Sequence, residues 1–328
     1  MKLLMLVHSR TNTCSYYRSG GVAADLRQHL DIDITIRQWN EIELHWQKII
    51  EFDLIFLERP YTDIAKNLMN FVKNMGVPMW IDYDDYLLGV PVENKYSGVY
   101  TPQVRENIKE MLKMADAVSV ATAELARLYH DYVRVPIRVI PNAFNDFIFR
   151  KRVIWPERQK LILWRGSDSH IYDIMHRGKA INEATGLFPD WTFTFLGFYP
   201  WYLSERDNMY HLKEMDIILY HNNLVRMGPA LLHVPLNDSP FNRGKSNIAY
   251  IEAAYAGAAV LAPNWEEWKK PGVILYEDDK SYLAGIQAVV EGTFDTRKAA
   301  KVAWEYISDE LLLSKVNEKR AELIKDLL

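Results

Sequence analysis

Lys245 and Glu252 are the residues from which chemistry is most readily read. They lie seven positions apart in Asn242-Arg243-Gly244-Lys245-Ser246-Asn247-Ile248-Ala249-Tyr250-Ile251-Glu252. On one helix, seven residues span about 10 Å and return to the same face. That is too far for a mutual ion pair, but it suits an elongated polar ligand touched at two points. A helix start offers free N–H groups and a positive dipole to a phosphate, with Lys245 and Ser246 as side-chain donors. An ionised Glu252 is a pure acceptor and could take both hydroxyls of a ribose or sugar. A solvated helix with an ordinary Lys and Glu competes with this reading, and spacing alone leaves the two even.

Local sequence indicates how such residues would be held. Gly244 lets the polar loop turn sharply. Ile248, Ile251 and Tyr255 have helical spacing and would face a core. Gly257 ends the helix where a left-handed residue is wanted. Ala259 to Ala262 is a short apolar strand stopped by Pro263.

The rest of the chain alternates strands and helices. Strands are read at Leu3–Val7, Ile32–Ile36, Asp53–Leu57, Pro78–Asp82, Ala117–Ala121 and Ile137–Ile140. After an irregular stretch from Pro141 to Arg158, they resume at Leu161–Trp164, Trp191–Gly197, Leu231–Pro235 and Val273–Tyr276, with Ile217–Tyr220 a weaker one. Val22–Leu30, Leu44–Ile50, Ala65–Met75, Pro102–Met114, Ile171–Glu183, Tyr202–Lys213, Ser281–Val290 and 296–328 read as helical. The expected fold class is α/β, with two doubly wound Rossmann-like domains facing a cleft. The expected divisions are residues 1–150, residues 151–300 and a terminal helical stretch, residues 301–328.

In open parallel sheets, ligands bind beyond the carboxyl ends of the strands. That rule selects further candidates. After the first strand, Arg18, Gly20 and Gly21 combine a cation, a flexible backbone and a helix start, as an anion site requires. A plain strand-to-helix turn is the competing reading. After the fourth strand comes Asp82-Tyr83-Asp84-Asp85. Buried unpaired acids cost several kcal/mol each, so these must be solvated, paired or ligand-facing. A carboxylate holding or deprotonating an acceptor hydroxyl is the preferred reading, with Asp84 as the candidate. An Asp-x-Asp metal site and a solvated turn are the alternatives. After the first strand of the second half come Arg165, Gly166, Ser167 and His170. Gly166 allows close backbone approach, and Arg165 and Ser167 can bind phosphate oxygens. His170 and Asp173 are spaced to pair with each other. The aromatic loop Gly197–Tyr202 could stack a base, or serve as a lid or packing loop.

The segment from Lys245 to Pro263 resembles the donor-binding segment of the family-4-like glycosyltransferases of the GT-B fold. The shared pattern is a lysine-serine helix start, Glu-Ala-x-x-x-Gly and a small-residue strand ending in proline. The resemblance implies that Lys245 and Ser246 face a nucleotide diphosphate and that Glu252 holds the ribose. It implies that Gly166, Ser167 and His170 lie near the diphosphate, with Arg18, Gly20 and Gly21 across the cleft. Val139 to Phe144 matches the family's strand running into Pro-Asn before the interdomain crossing, and the last helices, with Trp304 and Tyr306, would pack back across the cleft. Where many members carry a second glutamate, this chain has Gly244; Asn242 or Asp238 could substitute. The activity implied is transfer of a sugar from a nucleotide-diphosphate sugar to a hydroxyl acceptor, retaining and metal-independent, with no cofactor required. Arg165 and Lys245 would stabilise the departing diphosphate. The acceptor could be a glycan, a small molecule or a modified macromolecule such as DNA. A GT-B epimerase or phosphorylase, or a non-catalytic nucleotide-sugar-binding protein, would share these features.

Bulk composition agrees. The chain has 328 residues, 49% hydrophobic, with net charge −4 and no basic stripe to suggest non-specific nucleic-acid binding. Its single cysteine, Cys14, forms no internal disulfide and fits a reducing cytosol. The apolar start, Leu3 to Val7, is too short for a signal peptide or a membrane span.

Overall fold

The computed structural model describes residues 1–42, 46–150 and 155–328. Six parallel strands make the first sheet: β1 (Lys2–Val7), β2 (Asp33–Gln38), β3 (Leu54–Glu58), β4 (Met79–Tyr83), β5 (Ala117–Val120) and β6 (Ile137–Val139), in the order β2-β1-β3-β4-β5-β6. Six more make the second: β7 (Leu161–Gly166), β8 (Thr192–Gly197), β9 (Met209–Leu212), β10 (Leu231–His233), β11 (Ala259–Pro263) and β12 (Val273–Tyr276), in the order β12-β11-β10-β7-β8-β9.

Both sheets are covered on both faces, which is why their strands read as continuous apolar runs. Side chains alternate along each strand, so each strand feeds two cores. Leu4, Leu6, Ile55 and Leu57 pack with Leu68 and Met69 of the helix Asp63–Asn74 and with Ile108 and Met111 of the helix Pro102–Met114. Leu3, Met5, Leu54 and Phe56 face the other way, onto Val22 and Leu26 of the helix Gly20–Leu30. That second core is completed by Leu313, Val316, Leu323 and Ile324 of the helix Leu313–Leu327. In the second sheet, Leu163, Leu232, Val260 and Ala262 pack onto Ile251 and Tyr255 of the helix Ile248–Ala256 and Trp304 of the helix Thr296–Glu310. The chain passes between the halves twice, and the two passages touch. Phe144 N–H donates to Leu311 O at 2.8 Å, and Leu313 N–H donates to Phe144 O at 2.8 Å.

Four local expectations are corrected. Ile217–Tyr220 is not a strand but the start of the helix Ile217–Met227. Asp216 caps it by accepting from Ile218 N–H, and Tyr220 and Leu224 recur at i, i+4 on its buried side. Tyr202–Lys213 is not helical; it contains β9, which completes the sheet edge beside β8. The loop after β1 holds a helix, Thr13–Arg18, capped by Asn12 accepting from Ser15 N–H at 2.8 Å. The expected helix from Leu44 begins outside the described residues; Trp46–Glu51 forms a 3₁₀ turn.

Candidate functional site

Strand order locates the site. The connections leaving β1 and β3 diverge, as do those leaving β7 and β10, and a crevice opens at each such switch point. The two crevices meet in one cavity of about 360 Å³, a size in the range of small-molecule sites, roughly 300–1,000 Å³. The first half contributes Thr13, Cys14, Arg59, Asp84 and Asp85. The second half contributes Arg165 and Gly166 at the end of β7 and Ser167 and His170 after it, His233 to Leu236 from β10 and beyond, and Lys245, Ser246 and Glu252.

Glu252 is the most heavily engaged of these groups. It is 1% exposed. Arg165 Nε donates to its Oε2 at 2.7 Å, Tyr220 Oη to the same oxygen at 2.9 Å, and Tyr17 Oη to Oε1 at 3.1 Å. Burial works against the Arg165 charge, but the adjacent carboxylate outweighs it and holds the guanidinium above its ordinary pKa. Burial and the same carboxylate raise both phenols well above theirs, so Tyr17 and Tyr220 remain donors. Tyr17 arrives from the first half of the chain, so this carboxylate joins both halves.

Lys245 lies before the helix, which begins at Ile248, not on a shared face with Glu252. The preceding residues form a short helix, Pro240–Arg243, capped by Ser239. Gly244 has an ordinary φ of −72°. What matters at Gly244 is space: a Cβ would lie 2.8 Å from Leu125 Cδ2, and its carbonyl accepts from Thr122 Oγ1 at 3.1 Å. Lys245 Nζ stands 4.3 Å from the Phe241 ring centre and pairs with Asp85 Oδ1 at 2.8 Å across the cleft.

The acidic run after β4 is fully paired. Asp82 is held by Arg18 at 2.5 and 2.8 Å. Asp84 pairs with Arg59, and Asp85 with Arg59 at 2.7 Å. Burial would raise the Asp84 carboxyl, but Arg59 holds it below the usual range, so it lines the cavity as a carboxylate. Cys14 Sγ donates to Asp84 Oδ2 at 3.2 Å, and burial pushes the thiol pKa well up. Among the described residues, no group of three or more His, Cys, Asp or Glu side chains is arranged to hold a metal ion.

The cavity therefore brings together Asp84, Arg165, Gly166, Ser167, His170, Lys245, Ser246 and Glu252. Arg18, Gly20, Gly21 and Asn242 do not line it. Arg18 is 1% exposed and spends its donors on Asp82, Ile140 O and Asn142 Oδ1, which corrects its expected place beside an anion. Gly20 and Gly21 open a helix packed beneath the loop; a Cβ on Gly21 would lie 2.1 Å from Tyr16 O. Asn242 donates to Asp173 Oδ1 at 2.6 Å, and Asp173 accepts from His170 Nδ1 at 2.7 Å. Asn242 thus props the His170–Asp173 pair instead of facing the cavity. Of the aromatic loop, Gly197 lines the cavity, with φ +98° and Gly166 O where a Cβ would go, whereas Trp201 is 73% exposed and outside it.

Three residues escaped the sequence reading: Arg59, Tyr220 and Tyr17, the partner of Glu252 from the first half. Arg59 sits at the carboxyl end of β3, the same address rule that selected the loops after β1 and β4. It is one of two non-glycine residues with positive φ, at 44°, among those described. Its backbone is held in that strained state by Asp82 O and His8 Nε2, at 2.9 and 3.0 Å. Tyr220 was hidden by assigning its segment to a strand.

No family model matches this chain, and no curated protein matches it in sequence. Solved structures do match. The sucrose-phosphate synthase of Thermosynechococcus elongatus superposes with a TM-score of 0.71 at 13% identity, covering 99% of this chain and 98% of that one. A lipopolysaccharide outer core galactosyltransferase gives 0.64 at 12% identity, with all of both chains covered. A putative UDP-N-acetylglucosamine 2-epimerase from Listeria monocytogenes gives 0.61 at 14% identity, covering 99% and 95%. At these identities the likeness is one of fold. Two Rossmann-like halves across a cleft are the GT-B arrangement.

Proposed function

We propose that this protein is a glycosyltransferase that moves a sugar from a nucleoside-diphosphate sugar to a hydroxyl acceptor, with retention of configuration and without a metal. The observation that carries the reading is the pair of cations, Arg165 and Lys245, lining one cavity with Glu252 and Asp84 where two switch points meet. In the reaction, the bond from the anomeric carbon to the diphosphate oxygen breaks, and a bond to the acceptor oxygen forms. The acceptor hydroxyl would pass its proton to the Asp84 carboxylate, and the nucleoside diphosphate would leave with the extra negative charge. Arg165 and Lys245 would offset that charge, Gly166 and Ser167 would bind phosphate oxygens, and Glu252 would take the ribose hydroxyls. Asp84, on the opposite wall, would hold the acceptor hydroxyl. Residues 1–150 would form the acceptor-side domain, residues 151–300 the donor domain and residues 301–328 a return to the first domain. The Asp82 and Asp84 carboxylates are engaged by guanidinium groups, which favours charge neutralisation by side chains over a metal there. No described helix is long and apolar enough to cross a membrane, and the lone cysteine suits a cytosolic setting.

A sugar-nucleotide epimerase is the second reading, favoured by the fold shared with the Listeria protein. Product analysis separates the two, since an epimerase releases an isomerised sugar nucleotide without an acceptor. The primary test is a thermal-shift series with UDP, ADP, GDP and their sugars, with and without manganese. Ligand at a hundredfold excess over Kd stabilises by about 2.7 kcal/mol. A manganese-independent shift with one nucleotide is expected. A shift seen only with manganese would transfer the diphosphate to an Asp82–Asp84 metal site, and no shift at all, in this chain or in the variants tested below, would refute a donor pocket.

A further inference from the structure

Two of the groups assigned to the donor, Lys245 and Glu252, are bonded in the structure to side chains from the opposite half. Lys245 pairs with Asp85, and Glu252 accepts from Tyr17. A carboxylate thus meets the cation assigned to phosphate, and a hydroxyl meets the carboxylate assigned to ribose. The chemical match is one to one: anion for anion, hydroxyl for hydroxyl.

We infer that Asp85 and Tyr17 are internal competitors of the donor and set its affinity. The inference rests on the donor reading above. A buried carboxylate and a half-buried ammonium group require partners when the halves close. Asp85 and Tyr17 supply them from the first half, so the closed arrangement is satisfied by the protein's own groups. Glu252 has little exposed surface, and three donors already occupy its roughly four acceptor positions. Two ribose hydroxyls fit only if a donor withdraws. Tyr17 is the one that withdraws when the halves separate, because Tyr220 and Arg165 belong to the same half as Glu252. Likewise a diphosphate gains Lys245 by displacing Asp85, which retains Arg59 at 2.7 Å. Donor entry and separation of the halves are therefore one event.

The test compares the wild-type chain with Tyr17→Phe, Asp85→Asn and the double variant. UDP, GDP and ADP binding is measured by calorimetry, and the radius of gyration by small-angle scattering without ligand. A hydrogen bond to a charged group corresponds to about tenfold or more in an equilibrium constant, so each variant is expected to lower the nucleotide Kd by about that factor. The double variant is expected to scatter as a more open molecule. Binding by the double variant where wild type shows none would support the inference in its stronger form. Wild-type binding with equal or weaker binding in the variants would overturn the inference and leave the donor reading standing. Absence of binding in all four proteins would overturn the donor reading, and the inference with it.

Discussion

Replacing Glu252 tests the site and the fold together. Alanine at this position strands three donors: Arg165 Nε, Tyr220 Oη and Tyr17 Oη. It also leaves Arg165, of which 27% of the side chain is exposed, without its counter-ion. Removing one partner of a buried pair costs about 3–5 kcal/mol. In a domain of this size each kcal/mol moves Tm by roughly 2–4 °C, so Glu252→Ala is expected to lower Tm by about 6–20 °C. Glutamine keeps one acceptor oxygen but turns an amide toward at least one donor. It forfeits the charge, at about 1.5–3 kcal/mol, and is expected to lower Tm by roughly 3–12 °C. Circular-dichroism melts at pH 7.5 give the ranking wild type above Gln above Ala. Melting of Glu252→Ala within about 1 °C of wild type would refute the claim that this carboxylate joins the two halves. Because the alanine variant damages the fold, donor affinity is best read from the glutamine variant.

Three further outcomes are expected. Burial raises the Glu58 carboxyl from its ordinary 4.5 to about 7, opposed by Ser19 and assisted by Asp84. Between those values the native state binds more protons than the unfolded chain, so stability falls as pH rises through the window, by about 3 kcal/mol. Glu58→Gln should therefore stabilise the protein at pH 8 and have little effect near pH 4.5, as read from urea midpoints. Gly257 has φ +77°, and an added Cβ would lie 2.5 Å from Trp155 Cγ. Gly257→Ala should cost more than the roughly 1–2 kcal/mol of a left-handed alanine, and a smaller loss in urea unfolding would contradict the close approach. Gly244→Ala presses on Leu125 across the cleft and should cost about 1–3 kcal/mol. A double-mutant cycle with Leu125→Ala should show a coupling of about 1 kcal/mol, whereas additivity would deny the contact.

Much of the fold was legible because both sheets are buried on both faces, so their strands stand out as apolar runs between turn residues. Edge strand β9 was not legible: Tyr210, His211 and Leu212 are exposed and carry no burial pattern. Ile217–Tyr220 failed for the opposite reason. Its short apolar run suits either state, and the capping Asp216 decided for helix. At the site, the rule about strand carboxyl ends picked out Arg165 and Asp84, and the helix-start reading picked out Lys245, all of which line the cavity. The rule could not tell a residue facing the cavity from one supporting it from behind. Arg18 and Asn242 have the chemistry of ligand-binding groups, yet they are spent on Asp82 and Asp173, side chains 64 and 69 positions away. Pairings over such distances leave no trace in local spacing.

The contact of Phe144 with Leu311 and Leu313 marks when the first half can finish folding. Its second core needs Leu313, Val316, Leu323 and Ile324, and Asn317 reaches back to Asp25 across 292 positions. During synthesis, β1 to β6 emerge well before those side chains exist. Until then the face formed by Leu3, Met5, Leu54 and Phe56 is covered by the helix Gly20–Leu30 without its terminal partner helix. The half that begins first is thus completed last, after the second sheet has been made. A ribosome-bound chain ending before residue 313 should leave that face sensitive to proteases and open to chaperones, while the second sheet is already able to close.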